Sequence, residues 1–259
     1  MTTFERRQRL LALLKAQPGV RVPEAARLLN VSDGTVRNDL NALAEEGLLA
    51  RVRGGARLSS DFPFHAPAFT ARSEVKRNAK LCIAQHAAEF VQDGDSLLLD
   101  SSTTVYYMAA HLQKRRGLTV FTNGIEVGRE LAKNTSHTVI LLGGMLRSDG
   151  MSVNVPFNEH ILSNLHIKTA FVSSSGFSPE AGLTEVDIHE AQFKRKMITC
   201  ASTVIALIDS SKFGKLDITA FAHLEQIAHI FTDDGVGPVW LKKLQTAGVA
   251  VTVCPTQEN

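Results

Sequence analysis

The sequence predicts an α/β protein in two parts: an N-terminal winged helix-turn-helix domain at 1–58 and a larger α/β domain at 75–259, joined by a linker at 59–74. Three observations predict it. Residues 4–47 carry helical periodicity broken at two short turns, and a glycine-containing hairpin signal follows. The stretch "SSDFPFHAPAFTARSE" (59–74) contains Pro63 and Pro67 and has little periodicity. Beyond it, short apolar runs alternate with helical stretches, the pattern of a parallel sheet covered on both faces.

The first helix is "FERRQRLLALLKA" (4–16), with Phe4, Leu10, Leu13 and Leu14 on its apolar side and Arg6, Arg7 and Arg9 opposite. "PGVRV" breaks it, and Pro23 sits in the first turn of a short second helix, "PEAARLL". "NVS" makes a tight turn. Ser32 is an N-cap, and Val31 packs on Val36 as a hydrophobic staple. Val36, Leu40, Leu43 and Ala44 follow at i, i+4, i+7 and i+8, so this face of the third helix is buried. The opposite face shows Thr35, Arg37, Asn38 and Asn41, and Gly47 closes the helix. "LLARVRGGARL" then gives two short apolar stretches around Arg53-Gly54-Gly55, a hairpin with a basic tip.

A short second helix and a tight turn hold the third helix proud of the surface, where it fits a major groove. Arginine pairs bidentately with guanine and asparagine with adenine. A glycine-rich wing lets backbone N–H groups and an arginine approach phosphates. Ser32, Thr35, Arg37, Asn38, Asn41, Arg53, Gly54 and Gly55 are therefore the candidate DNA-binding residues. The charge agrees: residues 1–58 carry ten Lys/Arg against six Asp/Glu, and 59–259 carry 18 against 20. A three-helix bundle with a solvated polar face is the alternative, and the wing argues against it.

The larger domain begins with a helix, "VKRNAKLCIAQHAAEFV", and a turn, "QDGD". Apolar runs recur at "SLLLD", "LTVFTN" (118–123), "TVILLGG" (138–144), "KTAFVSSSG" (168–176), "TVIALIDSSK" (203–212), "IAHIFTDD" (227–234) and "VAVTV" (249–253). Ligands of such sheets bind beyond the carboxyl ends of the strands, and polar residues collect there. Asp100, Ser102, Thr103 and Thr104 lie in "DSSTT"; Thr122, Asn123 and Gly124 follow the second run; Gly143 and Gly144 follow the third; and Lys212 follows "IDSS". "DSSTT" runs into a helix, so its hydroxyls and unpaired N–H groups face the positive helix end, an arrangement suited to a phosphate, to which Lys212 adds a cation. Capping alone also enriches such turns in Ser, Thr and Gly; several of them on one rim favour a small anionic ligand.

Other readings are excluded or weak. No apolar run nears the roughly 18 residues of a membrane helix, and "MTTFERRQRL" has no apolar segment after it to serve as a leader, so a cytoplasmic place is expected. Cys82, Cys200 and Cys254 form no C-x-x-C pair and are expected to be buried free thiols. There is no G-x-G-x-x-G or G-x-S-x-G, His189-Glu190 lacks a second histidine at metal spacing, and "KRR" (114–116) is a solvated helix end. No cofactor or metal is expected.

"VSDGTVRNDLNALAEEGLLARVRGGA" (31–56) resembles the DNA-binding signature of DeoR-type bacterial transcriptional regulators. "DSSTTVYYMAAHL", "TNG", "LLGGMLR", "AGLTEVDIHEAQFKRKMI" and "DSSKFG" resemble, in order, the sensor domain of that family. The resemblance implies a Rossmann-like α/β sensor similar to ribose-5-phosphate isomerase, with "DSSTT" as phosphate loop and Lys212 beside the phosphate. It implies operator DNA and a phosphorylated sugar or polyol as partners, a homo-oligomer (dimer or tetramer), and a repressor, with activation left open. Asn38 stands where the family usually has a second arginine, Gly124 where it often has Asn or Ser, and "VNVP" where many members have a Gly-Pro segment. The rival class is a sugar-phosphate isomerase or CoA-transferase-like enzyme of the same fold, with Asp100, Glu185 and Lys212 as acid–base groups; as an effector site the same region includes Glu185.

Overall fold

The computed structural model describes residues 3–17, 20–45, 49–52, 55–58, 69–147, 150–156 and 164–256. The chain divides into two compact units, Met1–Val75 and Lys76–Asn259.

In the first unit, helices α1 (Thr3–Ala16), α2 (Val22–Leu29) and α3 (Asp33–Glu45) precede an antiparallel ribbon of β1 (Leu49–Val52) and β2 (Gly55–Leu58), in register from Leu49↔Leu58 to Val52↔Gly55. The wing expected from the sequence is this ribbon; Arg53, Gly54 and the Gly47 cap lie outside the described residues. Asn30 ends α2 in the left-handed region (φ 54, ψ 51), and Val31 N–H returns to the Ala26 carbonyl at 3.0 Å, which turns the chain into α3. Leu10, Leu14, Val22, Ala26, Val36, Leu40, Leu43 and Leu49 form the core, with Val31 packed on it as the staple requires.

One charge sits on the buried stripe of α3. Asp39 falls between Val36 and Leu43 at helical spacing and is only 3% exposed. Arg6 of α1 grips it in a fork, Nε to Oδ2 at 2.5 Å and Nη2 to Oδ1 at 3.1 Å, and Arg7 Nε adds a contact at 3.3 Å. Two arginines that the sequence places on an exposed polar side thus bind the third helix to the first.

The expected linker differs at its end. Phe69–Glu74 is a helix, α4, with Phe69 and Ala71 buried. "FTARSE" lies beyond Pro67 and contains no proline or glycine to oppose it.

In the second unit all seven apolar runs become strands of one sheet: β3 (Ser96–Leu99), β4 (Thr119–Thr122), β5 (Thr138–Leu141), β8 (Ile167–Val172), β11 (Ala201–Leu207), β13 (His229–Asp233) and β14 (Ala250–Cys254). The order is β14-β13-β11-β8-β3-β4-β5 and every pairing is parallel. Alternate residues face opposite sides. Leu97, Leu99, Phe171, Ile205, Leu207 and Phe231 pack with α5 (Arg77–Ala88) and α6 (Thr103–Leu112). Leu98 and Ala170 pack with Phe193 and Met197 of α8 (Ile188–Ile198) on the other side. Burial on both faces is why these runs read as continuous apolar stretches rather than alternating ones.

Helices α7 (Ile125–Leu131) and α9 (Pro238–Thr246) complete the helical layers. Two additions had no clear sequence signal. Strands β6 (Gly144–Leu146) and β7 (Val153–Pro156) form an antiparallel ribbon, and β9 (Gly176–Ser178), β10 (Gly182–Glu185) and β12 (Thr219–Ala222) form a small antiparallel sheet in the order β12-β10-β9. Cys82 and Cys254, distant in sequence, meet in one apolar cluster, where burial raises both thiols, Cys254 to about 12. Among the described residues no helix is long and apolar enough to cross a membrane.

The Asp39 clamp makes a prediction. Burial works against its charge, but hydrogen bonds from Arg6 and Arg7 outweigh it and hold the carboxyl below its ordinary value. A depressed acid stabilises the fold above its unfolded pKa, about 3.9, and loses that contribution as pH falls through the folded value. In thermal melts of the full chain, Asp39→Asn is expected to lower the midpoint of the N-terminal unit by a constant amount above pH 5, and the gap to wild type is expected to close as pH drops below 4.

Candidate functional site

On α3, Arg37, Asn38 and Asn41 are exposed on the side away from Val36, Asp39, Leu40 and Leu43. Ser32 and Thr35 have a second duty. Thr35 N–H donates to Ser32 Oγ at 3.1 Å, and the two hydroxyls lie 2.9 Å apart, so both are engaged in capping the helix. Gly55 opens β2, while Arg53 and Gly54 lie outside the described residues. The reading surface is thus a guanidinium and two amides on a capped helix braced from behind by the Asp39 clamp.

In the second unit the strand order reverses between β3 and β8: β4 and β5 lie beyond β3, and β11, β13 and β14 lie beyond β8. The carboxyl ends of β3 and β8 therefore flank the topological switch point. Asp100 follows β3 there and is fully buried. Its Oδ1 accepts the Ser102 N–H at 2.9 Å and its Oδ2 accepts the Ser173 N–H at 2.8 Å, so one carboxylate ties the ends of both strands.

The cation that answers Asp100 is Lys194 of α8, which the sequence reading did not single out. Its Nζ lies 3.0 Å from Asp100 Oδ2, 2.6 Å from Glu185 Oε1 and 3.5 Å from Glu190 Oε1, and donates to the Ser173 carbonyl at 2.8 Å. Burial opposes the lysine's charge, yet Asp100, Glu185 and Glu190 outweigh it and raise its pKa, so Lys194 stays protonated. Burial raises Glu185 against the pull of Lys194. Arg147, just past β6, extends the network: it pairs with Glu190 and lies 3.9 Å from Asp187, the N-cap of α8. A signal was available in the sequence. In "IHEAQFKRKMI" the buried positions are 190, 191, 193, 194, 197 and 198, so Lys194 falls within the apolar stripe of its helix.

The other candidates take distinct places. Ser102 caps α6 through a bond from the Val105 N–H at 3.3 Å, with Thr103 and Thr104 buried in the first turn. Thr122 Oγ1 accepts the Gly124 N–H at 3.0 Å. Asn123 Nδ2 donates to the Val153 carbonyl at 3.0 Å and to Ser101 Oγ at 3.4 Å. A Cβ on Gly124 would stand 3.0 Å from Ser101 Cα, so a side chain there would push the loop after β3 by a few tenths of an ångström. Gly144 begins β6, and Gly143 is exposed with open space where a Cβ would be. Lys212 is half-buried at the end of a 3-10 turn capped by Asp209. That turn follows β11, two strands from β3, a span of about 10 Å. Asp100, Ser102, Asn123, Gly124 and Glu185 thus gather around the switch point, while Lys212 follows β11, the strand next to β8.

Both units match known protein families. Residues 6–62 match the DeoR-like helix-turn-helix domain and residues 75–234 match the DeoR C terminal sensor domain. The HTH-type transcriptional regulator GolR of Listeria innocua is 34% identical over 98% of this chain and 99% of its own length. A lactose phosphotransferase system repressor of Streptococcus mutans is 35% identical over 90% of this chain and 93% of its own. The glycerol-3-phosphate regulon repressor of Escherichia coli is 30% identical over 90% and 92%. Among solved structures, ribose 5 phosphate isomerase A of Neisseria gonorrhoeae aligns over 52% of each chain with 12% identity and a TM-score of 0.38.

The lysine network predicts a large and pH-dependent penalty. Lys194→Met leaves Asp100, Glu185 and Glu190 buried without their shared cation and is expected to destabilise the second unit by about 3–5 kcal/mol in urea titrations. Glu185, which burial already pushes up, then loses the cation that opposed the rise and takes up a proton in the folded state, so the penalty is expected to be smaller at pH 5 than at pH 8. Adding Asp100→Asn and Glu185→Gln is expected to recover part of the loss, the mark of coupled sites.

Proposed function

Since the chain belongs to the DeoR family of helix-turn-helix transcriptional regulators, we propose that it represses a carbohydrate-metabolism operon and that a phosphorylated sugar or polyol in its C-terminal unit sets its hold on operator DNA. It is a regulator and no enzyme: its relatives are named as transcriptional regulators and repressors. The residues that an isomerase-like reading would use as acid and base, Asp100 and Glu185, are ion-paired to Lys194, and both Asp100 oxygens also accept backbone N–H groups.

The observation that carries the effector reading is the first turn of α6. It opens at the switch point with Ser102 as cap and Thr103 and Thr104 behind it, where backbone N–H groups and the helix dipole favour an anion. Lys212 across the crevice supplies a point charge for the same ligand. The names of two relatives support a sugar-linked role: one is a lactose phosphotransferase system repressor, the other a glycerol-3-phosphate regulon repressor. On the DNA side, Arg37, Asn38 and Asn41 read base edges, and Arg53, Gly54 and Gly55 meet phosphates. One such helix covers a half-site, so the protein acts as a homo-oligomer, a dimer or tetramer, on repeated half-sites in the cytoplasm. A coupling free energy of about 1–3 kcal/mol between effector and operator is enough for regulation.

Two measurements check this. Arg37→Ala is expected to cost about 1–3 kcal/mol of operator binding and relax sequence preference, whereas Arg53→Ala is expected to weaken binding to all sequences alike and flatten its salt dependence. Unchanged operator preference in Arg37→Ala would remove α3 as the recognition helix. In calorimetry a phosphorylated sugar is expected to bind and its unphosphorylated form to bind far more weakly, with Lys212→Ala weakening the phosphorylated ligand and leaving ligand-free operator binding intact. Equal affinity for the two forms would refute the phosphate assignment.

A further inference from the structure

Three polar atoms near the switch point are enclosed in the protein with no hydrogen-bond partner among the described residues: Asn123 Oδ1, Asn154 Oδ1 and Ser174 Oγ. Their residues are at most 6% exposed. Buried polar atoms are nearly always satisfied, and an orphan destabilises the fold that holds it. Three in one neighbourhood therefore call for a common cause.

The neighbourhood is continuous. Asn123 follows β4, and its Nδ2 reaches Ser101 beyond β3 and the Val153 carbonyl beside Asn154 on β7. Ser174 follows Ser173 beyond β8, and the Ser173 N–H binds Asp100, the neighbour of Ser101. Asn123 and Ser174 thus stand at the ends of β4 and β8, on either side of β3, about 10 Å apart at ordinary strand spacing. A hydrogen bond at each end takes up more than half of that span, which leaves room for a short polyol chain.

The chemistry separates this set from the phosphate end. A phosphate needs donors, and the first turn of α6 has them. Amide oxygens accept only, and a phosphate dianion has no proton to give them. Lys194 has no donor left over either: its three N–H bonds are matched by Asp100, Glu185 and the Ser173 carbonyl. What satisfies two carbonyl oxygens and a hydroxyl on one arc is a chain of hydroxyl groups.

Resting on the effector reading above, we infer that Asn123, Asn154 and Ser174 form the hydroxyl-reading half of the crevice, which selects a polyhydroxylated, phosphorylated ligand over a bare phosphate. The protein's own described groups leave these atoms without a partner, and a chain of hydroxyl groups supplies one to each.

The test uses the full chain in thermal melts, with Asn154→Leu, Ser174→Ala and, as control, Thr232→Val, whose wild-type hydroxyl on β13 is also unpaired but lies away from the switch point. Probes are inorganic phosphate, pentitol and hexitol monophosphates, hexose 6-phosphates and the matching free polyols. Without ligand, all three variants are expected to melt higher than wild type, by about 2–4 °C each. At least one polyol or sugar phosphate is expected to stabilise wild type beyond inorganic phosphate. Asn154→Leu and Ser174→Ala are expected to lose that extra shift while keeping the shift from inorganic phosphate, and Thr232→Val to keep both. Lower ligand-free melting of both Asn154→Leu and Ser174→Ala overturns the inference, because their polar groups are then satisfied. So does an equal shift from phosphate and phosphorylated polyols in wild type, or an undiminished extra shift in the two variants. If free polyols act as strongly as their phosphates and the variants abolish this, the inference stands and the phosphate reading falls; if no probe shifts wild type, both fall.

Discussion

A charge taken out of water must be met inside the fold, and at the switch point the whole arrangement turns on how Lys194 is met. Three carboxylates and a backbone carbonyl surround its ammonium. Each partner comes from a different element. Asp100 brings the ends of β3 and β8, Glu185 the end of β10, and Glu190 brings Arg147 beside the β6–β7 ribbon. Such a network is a poor source of net stability, since well-packed apolar groups often do as well. Its value is geometric: no member can shift without exposing another to an unpaired charge.

The N-terminal unit solves a smaller version of the same problem. Asp39 lies on the apolar stripe of α3 and is met by Arg6 and Arg7 of α1. In both units a charged side chain at a buried helical position fixes one element against another, and the residues with functional candidates, Arg37 and Asn38 or Asp100 and Ser102, are adjacent to the fixed point. The same fixing takes Asp100 out of proton exchange. Carboxylates that exchange protons with a substrate need accessible oxygens, whereas those of Asp100 are held by two backbone N–H groups and a lysine.

How much of this was legible follows from the range of each interaction. The helices of the first unit and the seven parallel strands were readable because their signals are local: caps, breaks and apolar runs made continuous by burial on both faces. The small sheet of β9, β10 and β12 was not, because its strands mix polar residues among few apolar ones and β12 pairs with β10 far along the chain. The helix at the end of 59–74 was not legible because Pro63 and Pro67 dominate a segment whose last six residues favour a helix. Within the site, residues following strands were found by position alone. Lys194 was missed because its meaning depends on Asp100 and Glu185, which come from other elements, whereas Lys212 was legible from its place after a strand. Asn154 and Ser174 carry no motif; only enclosure without a partner sets them apart.

Gly124 packs so tightly on Ser101 that a methyl group there would crowd the Ser101 backbone at 3.0 Å. The residues around it bind the 151–153 segment: Ile125 N–H to the Met151 carbonyl at 2.9 Å and Val153 N–H to the Asn123 carbonyl at 2.9 Å. The loop after β3 and the ribbon that carries Asn154 are therefore geared together without slack. A packed interior passes on displacement rather than absorbing it, so a ligand that spreads the loop by a fraction of an ångström also drives the ribbon, with glycine as the bearing between them.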